Sequence, residues 1–157
     1  RRIAFIAGAE DSSTNRDRES GFRASLAAHG VAIHDRKVGA YTLAGAAEAT
    51  RALFHRRPGP DALFVANDHM AFAAMDVIRS ELALRIPDDV SVVGYDDVPE
   101  AAWKAYDLTT VTQSSTAMVE ATATILFEQI ESDAVRRRAI VQPATLVVRG
   151  SARRPPG

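Results

Sequence analysis

Three nearly uninterrupted apolar runs, separated by longer stretches of helical periodicity, constrain the fold of this chain most strongly. They are Ile3–Ala7 (IAFIA), residues 62–66 (ALFVA) and residues 90–94 (VSVVG). Continuous rather than alternating apolar runs are typical of strands buried on both faces, as in a parallel sheet covered by helices. Residues 31–38 form a weaker and more polar strand candidate, which suits an edge of the sheet.

Amphipathic patterns between these runs predict helices over residues 14–29, 43–55 and 68–82. Gly30 follows the first pattern as a C-terminal stop, and Asn67 or Asp68 can cap the third. Alternating strands and helices predict an α/β fold, a three-layer parallel open sheet with helices on both faces and right-handed crossovers.

The pattern changes after the fourth strand. Residues 108–113 read as a short extended piece, and a long helix follows from Ser114 or Ser115 to Glu131. Apolar residues cover most of its circumference, so we expect it to be buried on a broad front. Residues 140–149 then predict one or two closing strands interrupted by a proline, after a short basic turn at 136–138 that reads as solvated surface. The polar tail from residue 151 is expected to fray.

Composition excludes several classes of protein and site. The chain of 157 residues is long enough for one domain with a real core, and its formal net charge of −1 attracts neither nucleic acid nor membrane. It has no cysteine, its four histidines have no ligand spacing, and no apolar run approaches a membrane span, so we expect no metal, no cofactor and no membrane contact. Because it starts directly on a strand without a methionine or leader, we expect it to be a fragment.

Ligands of open α/β sheets bind outside the carboxyl ends of the strands, which directs attention to the residues that follow each strand. Asn67 is either an ordinary helix cap or an amide that donates to and accepts from ligand hydroxyls. Asp96 and Asp97 are compatible with a turn, a metal site or a catalytic pair. A carboxylate there can also accept sugar hydroxyls or hold a purine or amine group. Arg18 is either surface or a fork-shaped donor aimed into the cleft.

Motifs of enzymes are missing from the sequence. It contains neither common phosphate-binding glycine loop nor a nucleophile elbow, and Asp96 and Asp97 have no nearby lysine or histidine with a readable role. We therefore predict that the protein is not an enzyme.

Taken in order, these motifs carry a resemblance to a known family. The segments are IAFIAG at 3–8, RESGF at 18–22, ALFVAND at 62–68, RIPDDVSVVGYDD at 85–97, LTTVTQ at 108–113 and LVVR at 146–149. Together they resemble the effector-binding domain of the lactose/galactose repressor (LacI/GalR) family, a two-lobed domain related to periplasmic sugar-binding proteins of type I.

The resemblance implies a set of ligand contacts and a set of dimer contacts. The implied ligand-binding residues are Arg18, Tyr41, Asn67, Asp96 and Gln113, with Ser12 and Thr14 as weaker candidates, and Tyr41 as the ring that stacks on the ligand. The implied homodimer contacts are Phe72, Trp103 and Tyr106. The effector would be a sugar or a nucleoside that binds between the lobes and changes operator affinity allosterically.

The resemblance also implies a division of the chain. Residues 1–112 would form the C-terminal lobe, and residues 113–138 a crossover and a helix that pack in the N-terminal lobe of the intact protein. Residues 139–150 would be closing strands and residues 151–157 a tail. Without most of the other lobe, the long helix should expose an apolar face, so we predict that the fragment associates through that helix or repacks it.

Three functions remain open on these grounds. The first is the effector-binding part of a cytoplasmic transcription regulator, which would reach operator DNA only through a helix-turn-helix absent from this chain. The second is a periplasmic sugar-binding protein of an uptake transporter, and the third is an α/β enzyme. A helix-turn-helix or a signal peptide encoded upstream would separate the first two.

Overall fold

The protein is described by a computed structural model that covers residues 1–55, 58–132 and 139–154. Six strands within these residues form one sheet in the spatial order β2-β1-β3-β4-β5-β6. The strands are β1 (Ile3–Ala7), β2 (Asp35–Val38), β3 (Ala62–Val65), β4 (Ser91–Asp96), β5 (Thr109–Gln113) and β6 (Ala144–Val147). All neighbouring strands are parallel except β6, which pairs antiparallel with β5. The predicted α/β fold is confirmed.

Helices connect the strands. They are α1 (Ser13–Ala28), α2 (Leu43–His55), α3 (Asp68–Asp76) and α4 (Ser115–Glu131), with a π-helical turn at Val77–Glu81 and a short 3₁₀ helix at Pro99–Ala102. Each predicted helix is present. The third changes from α to π geometry after Asp76, where the Leu82 amide donates to the Val77 carbonyl, five residues back.

The core lies on both faces of β1. Its consecutive residues Phe5 and Ile6 are both fully buried although their side chains point to opposite faces of the sheet. Phe5 packs against Phe22 of α1, at 5.9 Å between ring centroids. Ile6 faces the other layer, beside Met70 of α3. The continuous apolar run therefore reflects helices on both sides, as predicted.

The second strand is shorter than predicted, because the preceding residues close the end of α1. Gly30 has a φ of +67°, the left-handed conformation that ends helices, and the Val31 amide donates to the Leu26 carbonyl. The chain therefore turns through residues 31–34 before β2 begins at Asp35. β2 does lie at an edge of the sheet, as predicted.

The start of the predicted tail is anchored rather than frayed. Ser151 is buried, its hydroxyl donates to the Val92 carbonyl and accepts from the Thr109 amide, and its position between the starts of β4 and β5 completes their pairing. The Arg153 side chain donates to the Asp61 carbonyl. The end of the predicted tail (155–157) and the predicted basic turn (136–138) lie outside the described residues.

Helix α4 has no buried residue. Its apolar side chains are largely exposed, as are those of β6 and its flanks. The exposed fractions are 67% for Val119, 54% for Leu126, 63% for Phe127, 70% for Ile130 and 55% for Leu146. The exposed apolar face predicted for this helix is confirmed, whereas the broad burial expected from its apolar circumference is not found in this chain, where no other described element covers it.

Candidate functional site

The strand order brings three separate chain segments to one edge of the sheet. β3, β4 and β5 are parallel neighbours, so their carboxyl ends lie side by side. Asn67 follows β3, and Asp96 and Gln113 are the last residues of β4 and β5. Arg18 reaches the same edge from the second turn of α1.

A charged cluster forms where these segments meet. The Arg18 Nη2 atom donates to the Asp96 Oδ1 atom at 2.7 Å, and the Gln113 Nε2 atom donates to the same oxygen at 3.0 Å. The Arg18 Nη1 atom donates to the Ala66 carbonyl. The structure therefore joins three of the sequence-predicted ligand residues into one hydrogen-bonded unit.

Tyr95 supports Arg18 from one side and was not predicted as a site residue. The guanidinium carbon lies 4.0 Å from the centroid of the Tyr95 ring, a cation–π contact, and the Arg18 side chain is only 11% exposed. The signal in the sequence was an aromatic residue directly before the candidate carboxylate. A tyrosine at the end of a strand is common, however, and does not by itself indicate which way its ring faces.

The two neighbouring carboxylates have different partners. Asp96 faces the cluster, whereas Asp97 accepts a hydrogen bond from Arg149 at 2.7 Å. Their backbones have φ angles of +118° and +56°, sparsely populated regions that cost non-glycine residues of order 1–3 kcal/mol each. The pair is therefore a strained turn that presents only its first carboxylate to the cluster.

Asn67 caps α3, as the simpler of its two interpretations predicted. Its side-chain oxygen accepts from the Met70 amide at 3.0 Å. Because the oxygen serves the cap, the side-chain nitrogen is the atom available to donate to a ligand.

Asp68, the next residue, is fully buried beneath the turn. Its carboxylate accepts from the Thr110 hydroxyl at 2.6 Å and from the Val98 amide at 3.0 Å. Burial raises the pKa of Asp68 above its ordinary value, and the hydrogen bonds from Thr110 and Val98 oppose that shift.

The remaining predicted ligand residues lie after β1 and β2. The Ser12 hydroxyl caps α1 by accepting from the Asn15 amide at 3.3 Å, and Thr14 is exposed in the first turn. The Tyr41 ring packs directly over Gly8, with its hydroxyl buried and unpaired in the described structure. None of the hydrogen bonds described here joins these side chains to the Arg18–Asp96–Gln113 cluster.

The three predicted dimer contacts differ in their exposure. Phe72 is 8% exposed and stacks on Tyr106, with 4.2 Å between the ring centroids, whereas Trp103 is 57% exposed. Phe72 and Tyr106 line a groove of about 480 Å³ between α2 and α3, together with His69. Phe72 therefore lies buried at the base of the groove, whereas Trp103 protrudes into solvent.

The described residues offer neither a metal-binding group nor a membrane-spanning helix. In the part of the chain that the structure describes, no three histidine or acidic side chains are grouped so that they could hold a metal ion. Across the same residues, no helix is long and apolar enough to cross a membrane.

Comparison with known proteins places this site in context. The family described as periplasmic binding protein-like domain matches residues 1–152. The HTH-type transcriptional regulator CelR of Thermobifida fusca is 36% identical over 96% of this chain and 45% of its own length. The ribose operon repressor of Escherichia coli strain K12 is 31% identical over 96% of this chain and 46% of its length. The chain thus spans slightly less than half of these relatives.

Solved structures of transcription regulators also superpose on this chain. A transcriptional regulator CelR–cellobiose complex superposes with a TM-score of 0.89 at 35% identity, covering 97% of this chain and 47% of the other. A lac repressor bound to ONPG in the repressed state gives a TM-score of 0.88 at 29% identity, covering 96% and 45%.

Proposed function

This chain belongs to the periplasmic binding protein-like domain family, in the form found in LacI-type transcription regulators, and on that premise we propose that it binds a small-molecule effector at the Arg18–Asp96–Gln113 cluster. The observation that carries the proposal is the convergence of these side chains, from three distant segments, on one oxygen of Asp96. Such a preoriented polar cluster at the carboxyl ends of parallel strands suits ligand recognition.

The geometry of Asp96 favours a ligand rich in hydroxyl groups. Arg18 and Gln113 both contact Oδ1, so Oδ2 is the oxygen that we propose accepts from the effector. The Asn67 side-chain nitrogen would donate beside it, and the guanidinium of Arg18 would contact ligand oxygens. Sugars offer hydroxyl groups that can both donate and accept hydrogen bonds. The CelR complex contains cellobiose, which supports a sugar over a nucleoside.

Tyr41, Ser12 and Thr14, the remaining predicted ligand residues, would contact the effector at the edge of the site. We place Tyr41 at the rim of the ligand site, where its ring lies over Gly8 at the end of β1. Ser12 and Thr14 lie in the loop and first turn before Arg18, and we propose that they contact the ligand from that side.

We further propose that α4 belongs to the opposite lobe of the intact domain. This helix has no buried residue, and Val119, Phe127 and Ile130 are each more than 60% exposed, which supports a covering partner in the full-length protein. Residues 1–112 then form one lobe, residues 113–138 carry the crossover and α4, and residues 139–150 return to the sheet as β6. The effector would bind between the lobes.

For the whole protein, we propose an allosteric, non-enzymatic transcription regulator. It would act as a homodimer, with Trp103 and the groove lined by Phe72 and Tyr106 at the contact, and would bind operator DNA in the cytoplasm through a separate helix-turn-helix. The effector would act by binding one lobe arrangement more tightly than the other. The relatives reported above are transcription regulators, which favours this function over transport or turnover.

The test uses the full-length protein encoded by the complete reading frame. A thermal-shift screen with cellobiose, ribose, other sugars and nucleosides should identify a stabilising ligand, because a ligand at about 100 times its Kd adds roughly 2.7 kcal/mol. Calorimetry on Asp96→Ala should then show affinity reduced by roughly 10–150-fold, since hydrogen bonds to a charged group contribute about 1.5–3 kcal/mol.

Asp88→Ala is the matched control, because Asp88 is an exposed carboxylate that precedes the opposite end of β4. It should leave affinity unchanged. Equal affinity of wild type and Asp96→Ala for the identified ligand would refute the assignment of the site.

A further inference from the structure

Two successive residues of the candidate site adopt backbone conformations that their side chains disfavour. Asp96 has a φ of +118° and Asp97 a φ of +56°. Non-glycine residues remain in these regions only where surrounding contacts hold them. Something in the fold must therefore fix this turn, and through it the direction of the Asp96 carboxylate.

The first such contact comes from Asp68, below the turn. Its Oδ2 atom accepts from the main-chain amide of Val98 at 3.0 Å, and its Oδ1 atom accepts from the Thr110 hydroxyl at 2.6 Å. Gly94 makes room for this carboxylate, since a Cβ there would lie 2.2 Å from Oδ1. Asp68 thus ties the end of the turn to the neighbouring strand β5.

The second contact comes from Arg149, after β6. Its Nη2 atom donates to the Asp97 Oδ1 atom at 2.7 Å, and its Nη1 atom donates to the Leu108 carbonyl at 2.9 Å. Its main-chain amide also donates to the Thr109 hydroxyl at 2.9 Å. Arg149 is thereby fixed to the start of β5 and draws the Asp97 side chain away from Arg18.

We propose that Asp68 and Arg149 are positioning residues, which hold the Asp96–Asp97 turn in its left-handed form so that Asp96 faces Arg18 and the effector. This inference rests on the proposed function for its biological meaning. Neither residue contacts the effector; each holds one side of the turn, Asp68 through the main chain of Val98 and Arg149 through the side chain of Asp97.

The two contacts make different demands on a replacement. Asparagine at position 68 keeps both hydrogen bonds, because its oxygen can accept from the Val98 amide while its nitrogen donates to the Thr110 hydroxyl. Alanine keeps neither. At position 149, methionine retains the apolar stem of arginine but has no donor to hold Asp97.

The experiment is a set of ligand-free crystal structures of the full-length protein carrying Asp68→Ala, Asp68→Asn or Arg149→Met. In Asp68→Ala and Arg149→Met, φ of Asp96 should become negative, and the Arg18–Asp96 separation, 2.7 Å in the wild type, should exceed about 4 Å, the limit for an ion pair. Asp68→Asn should restore the wild-type geometry. A residue that only stabilised the fold would lower the melting temperature without moving this pair.

Arg153→Met is the matched control for position 149. Arg153 is exposed and donates to Ser91 and to the carbonyl of Asp61, at the opposite end of the sheet. It should leave the turn unchanged.

An Arg18–Asp96 pair that stays at its wild-type separation in Arg149→Met, or in a folded Asp68→Ala, overturns the proposal for that residue. If Asp68→Ala does not fold, an Asp68→Asn protein in which the pair is broken overturns the proposal for Asp68, and one in which it is kept supports it. Because every measurement is ligand-free, failure of all sugars to bind would reject the proposed function and not this inference.

Discussion

Replacing Gly8 with alanine tests the most tightly packed contact near the site. A Cβ at this position would lie 2.1, 2.3 and 2.6 Å from three carbon atoms of the Tyr41 ring. Real Cβ contacts do not come this close, so the ring or the main chain must move. Gly8 does not have a positive φ, and the cost is therefore steric rather than conformational. Overpacking of this kind costs about 1–3 kcal/mol.

The assay is thermal unfolding of the domain, in which 1 kcal/mol corresponds to roughly 2–4 °C for a chain of this size. Gly8→Ala should lower the midpoint by about 2–12 °C on these values. Gly21→Ala is the control, because Gly21 lies in α1 with no atom within 4 Å of the added Cβ. It should stabilise the domain by about 0.5–1 kcal/mol through the better helix propensity of alanine.

A second background separates the Tyr41 contact from other effects of the substitution. With Tyr41→Ala present, the ring is gone and Gly8→Ala should cost much less than in the wild type, a coupling of about 0.5–3 kcal/mol. A Gly8→Ala protein that melts at or above the wild-type temperature would refute the packing of Tyr41 over β1, and with it our placement of this ring at the rim of the ligand site.

Three further predictions concern other surfaces of the molecule. The 157-residue chain should self-associate through α4. Replacing both Phe127 and Ile130 with glutamate should weaken association by at least about 30-fold, because burying these largely exposed side chains contributes roughly 1–2 kcal/mol each. Sedimentation velocity that finds a monomeric wild-type chain would contradict this. Trp103→Ala in the full-length protein should weaken the proposed homodimer by at least about tenfold. It should leave monomer stability nearly unchanged, since the Trp103 side chain is 57% exposed. An unchanged dimer dissociation constant would remove Trp103 from the interface. Hydrogen bonds from the side chain and main chain of Arg85 lower the pKa of Asp89 from 3.8 to about 2, so the contribution of Asp89 to stability is present above pH 3.8 and is lost as the pH falls towards 2. The difference in melting temperature between wild type and Asp89→Asn should therefore shrink between pH 6 and pH 2. A constant difference would argue against the Arg85–Asp89 pair.

Local chemistry determined most of the secondary structure of this chain, and the sequence was sufficient to predict that part. An uninterrupted apolar run such as IAFIA is typical of a strand covered on both faces, and β1 is such a strand. Gly30 ends α1 and Asn67 begins α3 through contacts within a few residues, so both could be predicted without knowledge of the fold. Prediction failed at residues 31–34, where the local closure of α1 after Gly30 delays the strand, and at Ser151, where hydrogen bonds to distant strands decided the outcome.

The candidate residues could be named from the sequence through their place after strands and through a family resemblance, but their partners could not. Arg18 and Asp96 are 78 residues apart, and Asp97 and Arg149 are 52 apart. Only the parallel order β3-β4-β5 brings such segments to one edge of the sheet. Whether Asp96 or Asp97 faces the site depends on backbone angles that neither residue prefers by itself.

The sequence by itself therefore determined the elements and the types of side chain at their ends, because burial patterns, caps and stops act over a few residues. The tertiary structure alone decided that Asp96 is held by Arg18 and Gln113, that Asp97 turns towards Arg149, and that Asp68 lies buried beneath them. Those choices depend on strand order and on long-range hydrogen bonds that stabilise a strained turn, and no local pattern encodes either.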